Sequence, residues 1–246
     1  MKIRNGAALV AAGLLISACG GGGSNNMAPT NPSPTYYFVT PALNAQYVYA
    51  QTIVDNSANT INETVALLVT AVQGSGAYTE QQSDPTGTVV TVNGVTYSVL
   101  DESINFNPEG QATTYSFMPA NGSLTTCTYT PSAGGLTYPT QVGTTWTTNY
   151  TLSCGSAAPV SYTHTGVVAD VEAVTVPAGT FQALKVMSTI TWTDANGTTR
   201  TQNATNWRDV NTGLSVQSVT TTAYSGTPVS AASYPVSNTR VLQSMS

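Results

Sequence analysis

The chain has 246 residues, of which 7% are charged and 41% apolar, with a formal net charge of −5. So acidic and lysine-poor a composition offers no electrostatic footprint for a phosphate backbone, and it argues against nucleic acid or anionic headgroups as partners. The apolar share excludes charge-driven disorder, and the length allows one sizeable core or two small ones.

The first element is a leader. Lys2 and Arg4 precede an apolar run from Ala7 to Ile16, broken by Gly13, and the small residues Ser17 and Ala18 follow. That order describes a secretory signal peptide over residues 1–18. The run is too short for a membrane-spanning helix, which needs about 20 apolar residues. Ile16-Ser17-Ala18-Cys19 resembles the lipobox of bacterial lipoproteins. The resemblance implies that the Cys19 thiol receives a diacylglycerol, that the chain is cut just before it, and that the new amine is acylated. Each buried methylene contributes about 0.8 kcal/mol and stable attachment takes about two chains, a condition that two or three acyl groups meet. Gly20 stands where members of that family retained at the inner membrane tend to carry aspartate. The resemblance therefore implies the outer membrane, with the body facing the periplasm or the cell surface. Cleavage leaves four basic and eleven acidic side chains, a charge of −7.

Residues 19–35 read as the lipidated tether, with "GGGGSNNMAPTNPSPT" after the cysteine. Glycine and serine make it flexible, and its reach is on the order of 20–25 Å. A phosphate-binding glycine loop is rejected, because no Lys-Ser/Thr follows the glycines and no strand precedes them.

From residue 36 to 246 short alternating runs dominate, and we expect a single all-β domain. Asn59–Gln73 has near-helical apolar spacing at Ile61, Val65, Leu68 and Val72, but its Thr and Val content favours a strand. In Thr88–Leu100, β-branched runs flank Asn93-Gly94, the signature of a tight hairpin. Phe181–Trp192 alternates, with Leu184, Val186, Ile190 and Trp192 on one face and Lys185, Thr189 and Thr191 on the other. Turns at Asp194–Thr199 and at Asn211-Thr212-Gly213 then make a three-strand meander, closed by "SNTRVLQSM". The fold class is thus an antiparallel sandwich or half-open barrel with meander connections. The stretch 131–143, containing Pro and Gly, is the candidate internal boundary.

Cys127 and Cys154 remain once Cys19 is lipidated. An exported chain meets an oxidising compartment, so the two are expected to pair as a disulfide. No cysteine pair has metal spacing, and His164 is the sole histidine, so neither a metal site nor a cofactor is expected.

"YPTQVGTTW" (138–146), "VEAVTVPAGTFQALKV" (171–186) and "WRDVNTGL" (207–214) together resemble a group of uncharacterised, β-rich bacterial envelope lipoproteins. That group carries Pro-x-x-x-Gly-x-x-Trp, Val-Pro-Ala-Gly-Thr-Phe and a Trp with Gly-Leu/Ile downstream. The likeness spans roughly residues 138–219 and implies no agreed activity. This chain has Arg208-Asp209 after Trp207, where the group often places tyrosine. Physically, Pro177 belongs at a strand end and Gly179 in a turn, with Phe181 entering the core. Trp146, Trp192 and Trp207 are large core anchors, or else the lining of a pocket for an apolar molecule or a glycan.

No catalytic signature stands out. There is no Gly-x-Ser-x-Gly elbow. On one regular strand His164, Asp170 and Glu172 would share a face, but His164 and Asp170 would lie about 20 Å apart. Asp101 and Glu102 would point opposite ways and cannot act as a glycosidase pair with each other. The chain is expected to be a non-enzymatic binding or envelope-structural β-domain. A surface adhesin is the first alternative and a carbohydrate hydrolase the second. The expected partners are the membrane, through the anchor, and an apolar small molecule, a glycan or an envelope protein.

Overall fold

The computed structural model describes residues 33–83, 102–117, 124–194, 197–226 and 235–246, and the backbone of 89–92 and 95–98. The leader, Cys19 and the tether up to residue 32 lie outside the described residues, as do Asn93, Gly94 and Asp101. Ser33–Ser246 form one compact unit.

The described residues contain fourteen strands and no helix. In chain order they are β1 (Gln46–Asp55), β2 (Thr60–Val72), β3 (Tyr78–Ser83), β4 (Val89–Val92) and β5 (Val95–Ser98). There follow β6 (Glu102–Phe106), β7 (Ala112–Phe117), β8 (Thr125–Ala133), β9 (Thr145–Cys154) and β10 (Val160–Val176). The last four are β11 (Gly179–Thr193), β12 (Thr199–Asp209), β13 (Ser215–Ser225) and β14 (Pro235–Met245). Every pairing is antiparallel. All strands but β4 and β5 join one sheet that closes on itself, because β1 pairs with both β2 and β14. The expected antiparallel meander is therefore a closed barrel, in which each of the twelve strands has a neighbour on both sides. The segment with near-helical spacing is strand β2. β4 and β5 pair only with each other, with Val92 opposite Val95, as a hairpin inserted between neighbours β3 and β6.

Alternation sorts the side chains. Rungs of threonine and asparagine line the outward face: Thr52 Oγ1 donates to Asn62 Oδ1 at 2.9 Å, Thr79 to Asn105 at 2.6 Å and Thr189 to Asn203 at 2.8 Å. This explains how so few charges suffice, since exposed hydroxyl and amide groups do the solvating. A bilayer-spanning barrel needs an apolar outward band instead.

The inward face is buried and mixed. Tyr49, Val65, Val69, Val168, Leu184, Val186 and Leu242 are each 5% exposed or less. Gln51, Glu63 and Gln82 are buried on the same face at other levels. They belong to a hydrogen-bonded layer in which Arg240 donates to Gln51, Gln51 donates to Glu63, and Gln82 Nε2 donates to Glu102 at 2.9 Å. The Tyr115 hydroxyl completes the layer by donating to Glu102 at 2.7 Å. Buried polar groups demand partners, and this layer supplies them from six different strands.

Cys127 and Cys154 face each other in register on β8 and β9 and form a disulfide. The loop between these strands, residues 134–144, packs Leu136 and Tyr138 on the Val168–Leu184–Val186 cluster.

Candidate functional site

The strap 33–42 follows the tether and closes over the barrel lumen. Its backbone pairs once, Tyr36 N to Thr140 O at 2.8 Å and Thr140 N to Tyr36 O at 2.9 Å. Beside this pair Gln141 Nε2 donates to Thr35 Oγ1 at 2.6 Å. Alternation along the strap leaves Tyr37 and Val39 exposed and turns Phe38 inward. The Phe38 ring stacks on Tyr78 at 6.0 Å and tilts against Tyr138 at 5.8 Å. Gly110 accommodates it: a Cβ there would lie 2.7 Å from the ring, and the φ of +75° suits glycine in any case.

Beneath the strap lies a cavity of about 400 Å3. Its walls are largely aromatic, from Tyr47, Tyr49, Tyr78 and Phe106, with Leu67 and Leu214. Glu80 on β3 and Arg208 on β12 are its two ionisable groups other than tyrosine. Among the described residues the Glu80 carboxyl makes no hydrogen bond or ion pair, and the ion pairs found are Lys185–Glu172 and Arg200–Asp194. Burial pushes the Glu80 carboxyl up to about 7, against the opposing pull of Arg208. Arg208 Nη1 donates to the Gly213 carbonyl at 3.2 Å, leaving further N–H donors of the guanidinium. Burial also raises the tyrosine hydroxyls of Tyr47, Tyr49 and Tyr78, with Glu80 adding to the effect, so they stay neutral.

A second cavity of about 270 Å3 adjoins the first, sharing Phe38, Phe106, Gly110 and Arg208. His164 and Trp146 meet here edge to face, with ring centres 6.0 Å apart. His164 Nδ1 contacts the Gly134 carbonyl, which can only accept, so Nδ1 carries the proton. Burial lowers the His164 pKa, and the ring is neutral. Its Nε2 and the Trp146 Nε1 are buried and make no hydrogen bond within the protein. The pair thus presents one acceptor and one donor. Trp146 lies flat over Gly166, where a Cβ would come 2.1 Å from the ring.

The three tryptophans separate. Trp146 lines the smaller cavity. Trp192 bonds Asp194 Oδ1 at 3.0 Å and packs beside Tyr162 with Arg200 over its ring. Trp207 pairs in register with Lys185, whose ammonium sits 5.7 Å from its ring centre, donates its Nε1 to Glu172, and packs half-buried against the core cluster that includes Val174, Ala183, Val216 and Leu242. Neither Trp192 nor Trp207 lines either lumen cavity. A bulge between Val168 and Asp170 shifts the register of β10, so His164 points inward while Glu172 joins Lys185 and Trp207 on the other face. The regular strand on which the three polar residues would share a face does not exist. Glu102 is committed to Gln82 and Tyr115. Among the described residues no group of three or more His, Cys, Asp or Glu side chains could hold a metal.

Sequence reasoning passed over Glu80, Phe38 and the cavity tyrosines. Arg208 was visible only as a departure from the Trp207 motif. That departure builds the site: Arg208 supplies the lumen cation, and Asp209 Oδ2 accepts from Thr212 N at 3.1 Å and Thr212 Oγ1 at 2.7 Å to set the turn beside it. The inward positions of β3, Tyr78-Glu80-Gln82, carried the available signal, an aromatic, an acid and an amide on one face.

A larger concavity of about 660 Å3 crosses the outward face from β9 to β13, lined by threonines with Val167, Met187 and Val219 and by no ionisable side chain.

No protein-family model and no curated protein matches the chain. Among solved structures it is similar to a protein from Bacteroides fragilis described as exported and as having a YmcC-like fold. The TM-score there is 0.49 at 12% identity, covering 87% of this chain and all (100%) of that one. It is also similar to a protein from Parabacteroides distasonis described as a lipoprotein, with TM-score 0.45 at 14% identity over 86% and 99% of the two chains. A third likeness is to the hypothetical lipoprotein YmcC of Escherichia coli, with TM-score 0.40 at 12% identity over 79% and 83%.

Proposed function

We propose that this chain is a lipoprotein held at the outer membrane by an acylated Cys19, and that its barrel binds a small, largely apolar molecule in the lumen without transforming it. The observation that carries the reading is the aromatic cavity of about 400 Å3 beneath the Phe38 strap. Ligand pockets run from about 300 to 1,000 Å3 and combine apolar walls with a few placed polar groups, as this one does. A core filled for stability alone would pack to crystal-like density. Anchorage rests on the basic start, the apolar run and Ile16-Ser17-Ala18-Cys19.

Two measurements on the protein purified from its own membranes test the reading. The intact mass is expected to show a chain beginning at Cys19 and carrying acyl groups; an unmodified Cys19 removes the anchor. Solvent extraction followed by mass spectrometry is expected to release a small molecule at near-stoichiometric amount. If none is recovered, and an uncharged aromatic probe does not bind either, the lumen is not a ligand site.

A further inference from the structure

The lumen pocket holds an acidic and a basic side chain that do not pair with each other. Glu80 comes from β3 and Arg208 from β12, both line the same cavity, and they form no ion pair. Burying an ionised group without a partner is costly, and a protein that needed only a filled core could place leucine at either position. Among the described residues Glu80 is left without a hydrogen-bond partner, and Arg208, which donates to the Gly213 carbonyl and stands near Tyr138, keeps further N–H donors for something else to satisfy. Tyr47, Tyr78 and Phe106 line the same cavity as the carboxyl. The faces of such rings attract a cation by their quadrupoles. Opposite, the guanidinium has planar N–H donors in the geometry that a carboxylate or phosphate accepts.

We propose that the lumen ligand is a small zwitterion with an apolar side chain, its ammonium on Glu80 among the aromatic rings and its anionic group on Arg208. The proposal rests on the reading of the lumen as a ligand site and narrows its chemistry. The pair sums to no net charge, which matches a zwitterion and matches neither a fatty acid nor a simple amine. Either single charge would leave the other protein group buried and unsatisfied, and buried unpaired groups are where discrimination is largest. The shared chemistry fits a free α-amino acid and also the headgroup of a zwitterionic lipid.

The test is calorimetric titration of the full mature protein in a non-ionic detergent, stripped of ligand, with water-soluble probes, each corrected by an identical titration into protein-free micelles. The probes are L-phenylalanine, phenylalaninamide (cation only), N-acetylphenylalanine (anion only), 3-phenylpropanol (no charge) and glycerophosphoethanolamine (a phosphodiester headgroup zwitterion without acyl chains). We expect phenylalanine to bind at least tenfold tighter than either singly charged analogue. Glu80→Gln should weaken phenylalanine and leave N-acetylphenylalanine unchanged, and Arg208→Gln should weaken phenylalanine and leave phenylalaninamide unchanged. A variant that merely misfolds loses every probe, so the crossed pattern reports the two contacts themselves. Glycerophosphoethanolamine binding more tightly than phenylalanine would assign the zwitterion to a lipid headgroup, and the reverse order to an amino acid. If 3-phenylpropanol binds as well as phenylalanine, the zwitterion is wrong and the lumen reading stands. If no probe binds, both fall.

Discussion

Reducing the Cys127–Cys154 bridge lowers the stability of the barrel by about 3–4 kcal/mol, read as a drop in the denaturant midpoint between oxidised and reduced protein. The cysteines are 27 positions apart, and releasing a loop of that size returns entropy to the unfolded chain. In the folded state the bridge ties β8 to β9 at an in-register pair, with Cys127 1% exposed. The same hairpin carries Leu136 and Tyr138, which pack over the lumen cluster, and Thr140, which pairs with the strap. The Cys127→Ala/Cys154→Ala double variant should match the reduced protein to within about 1 kcal/mol, the excess reflecting lost side-chain volume. Equal midpoints for oxidised and reduced protein, with an unchanged slope, would show that the bridge constrains nothing that folding does not already fix.

Glu80→Gln has the opposite sign and stabilises the ligand-free protein at neutral and alkaline pH. Burial raises the folded carboxyl from its ordinary value of 4.5 to about 7, with the Arg208 guanidinium opposing the shift. Below pH of about 4.5 the carboxyl is protonated both folded and unfolded, and the group has no effect on stability. As pH rises from about 4.5 to about 7, the unfolded chain has shed its proton while the folded chain still holds it, so stability falls through that interval. It levels off above, where the folded chain carries the buried charge. The gap between the two values corresponds to up to roughly 3 kcal/mol lost by pH 8. Glutamine removes that slope and is more stable there by a similar amount. Glu102 is raised by burial as well, and Tyr115 and Arg240 oppose the rise, so some slope persists in the variant. The difference between the two pH–stability curves isolates Glu80. A variant curve parallel to the parent's would show that the carboxyl is solvated or paired. Saturating zwitterion should erase the parent's slope between about pH 4.5 and 7, because the bound ammonium supplies the missing partner and returns the carboxyl towards its ordinary value.

Much of the fold can be read locally. Leu184 and Val186 alternate with Lys185 and Met187, and the former are buried at 0% and 5% while Met187 is 46% exposed. Thr and Val tipped Asn59–Gln73 towards strand against its near-helical spacing, because β-branched side chains suit a pleated surface. The paired cysteines followed from export alone. Whether the sheet closes depends on β1 meeting β14 across the whole chain, which no local pattern encodes. The site was hidden for the same reason. Glu80 in "YTEQQS" looks like one more polar residue of an exposed strand, and it faces the lumen only because the sheet curves round to place β12 opposite. Phe38 sits at the end of the tether, where sequence suggests only a start to the domain. The bulge in β10 adds a single residue to the register and moves Glu172 from the His164 face to the outside. The tryptophans drew attention by size, yet two of the three anchor polar clusters away from the lumen cavities.

The most direct measurement is a crystal structure of the mature protein purified from its native membranes without ligand stripping. Density lying between Glu80 and Arg208, within hydrogen-bond distance of both and walled by Tyr47, Tyr78 and Phe106, is the result expected. A direct Glu80–Arg208 ion pair, with Phe38 and its neighbours collapsed into the remaining space, would make the lumen a packed interior and contradict the account.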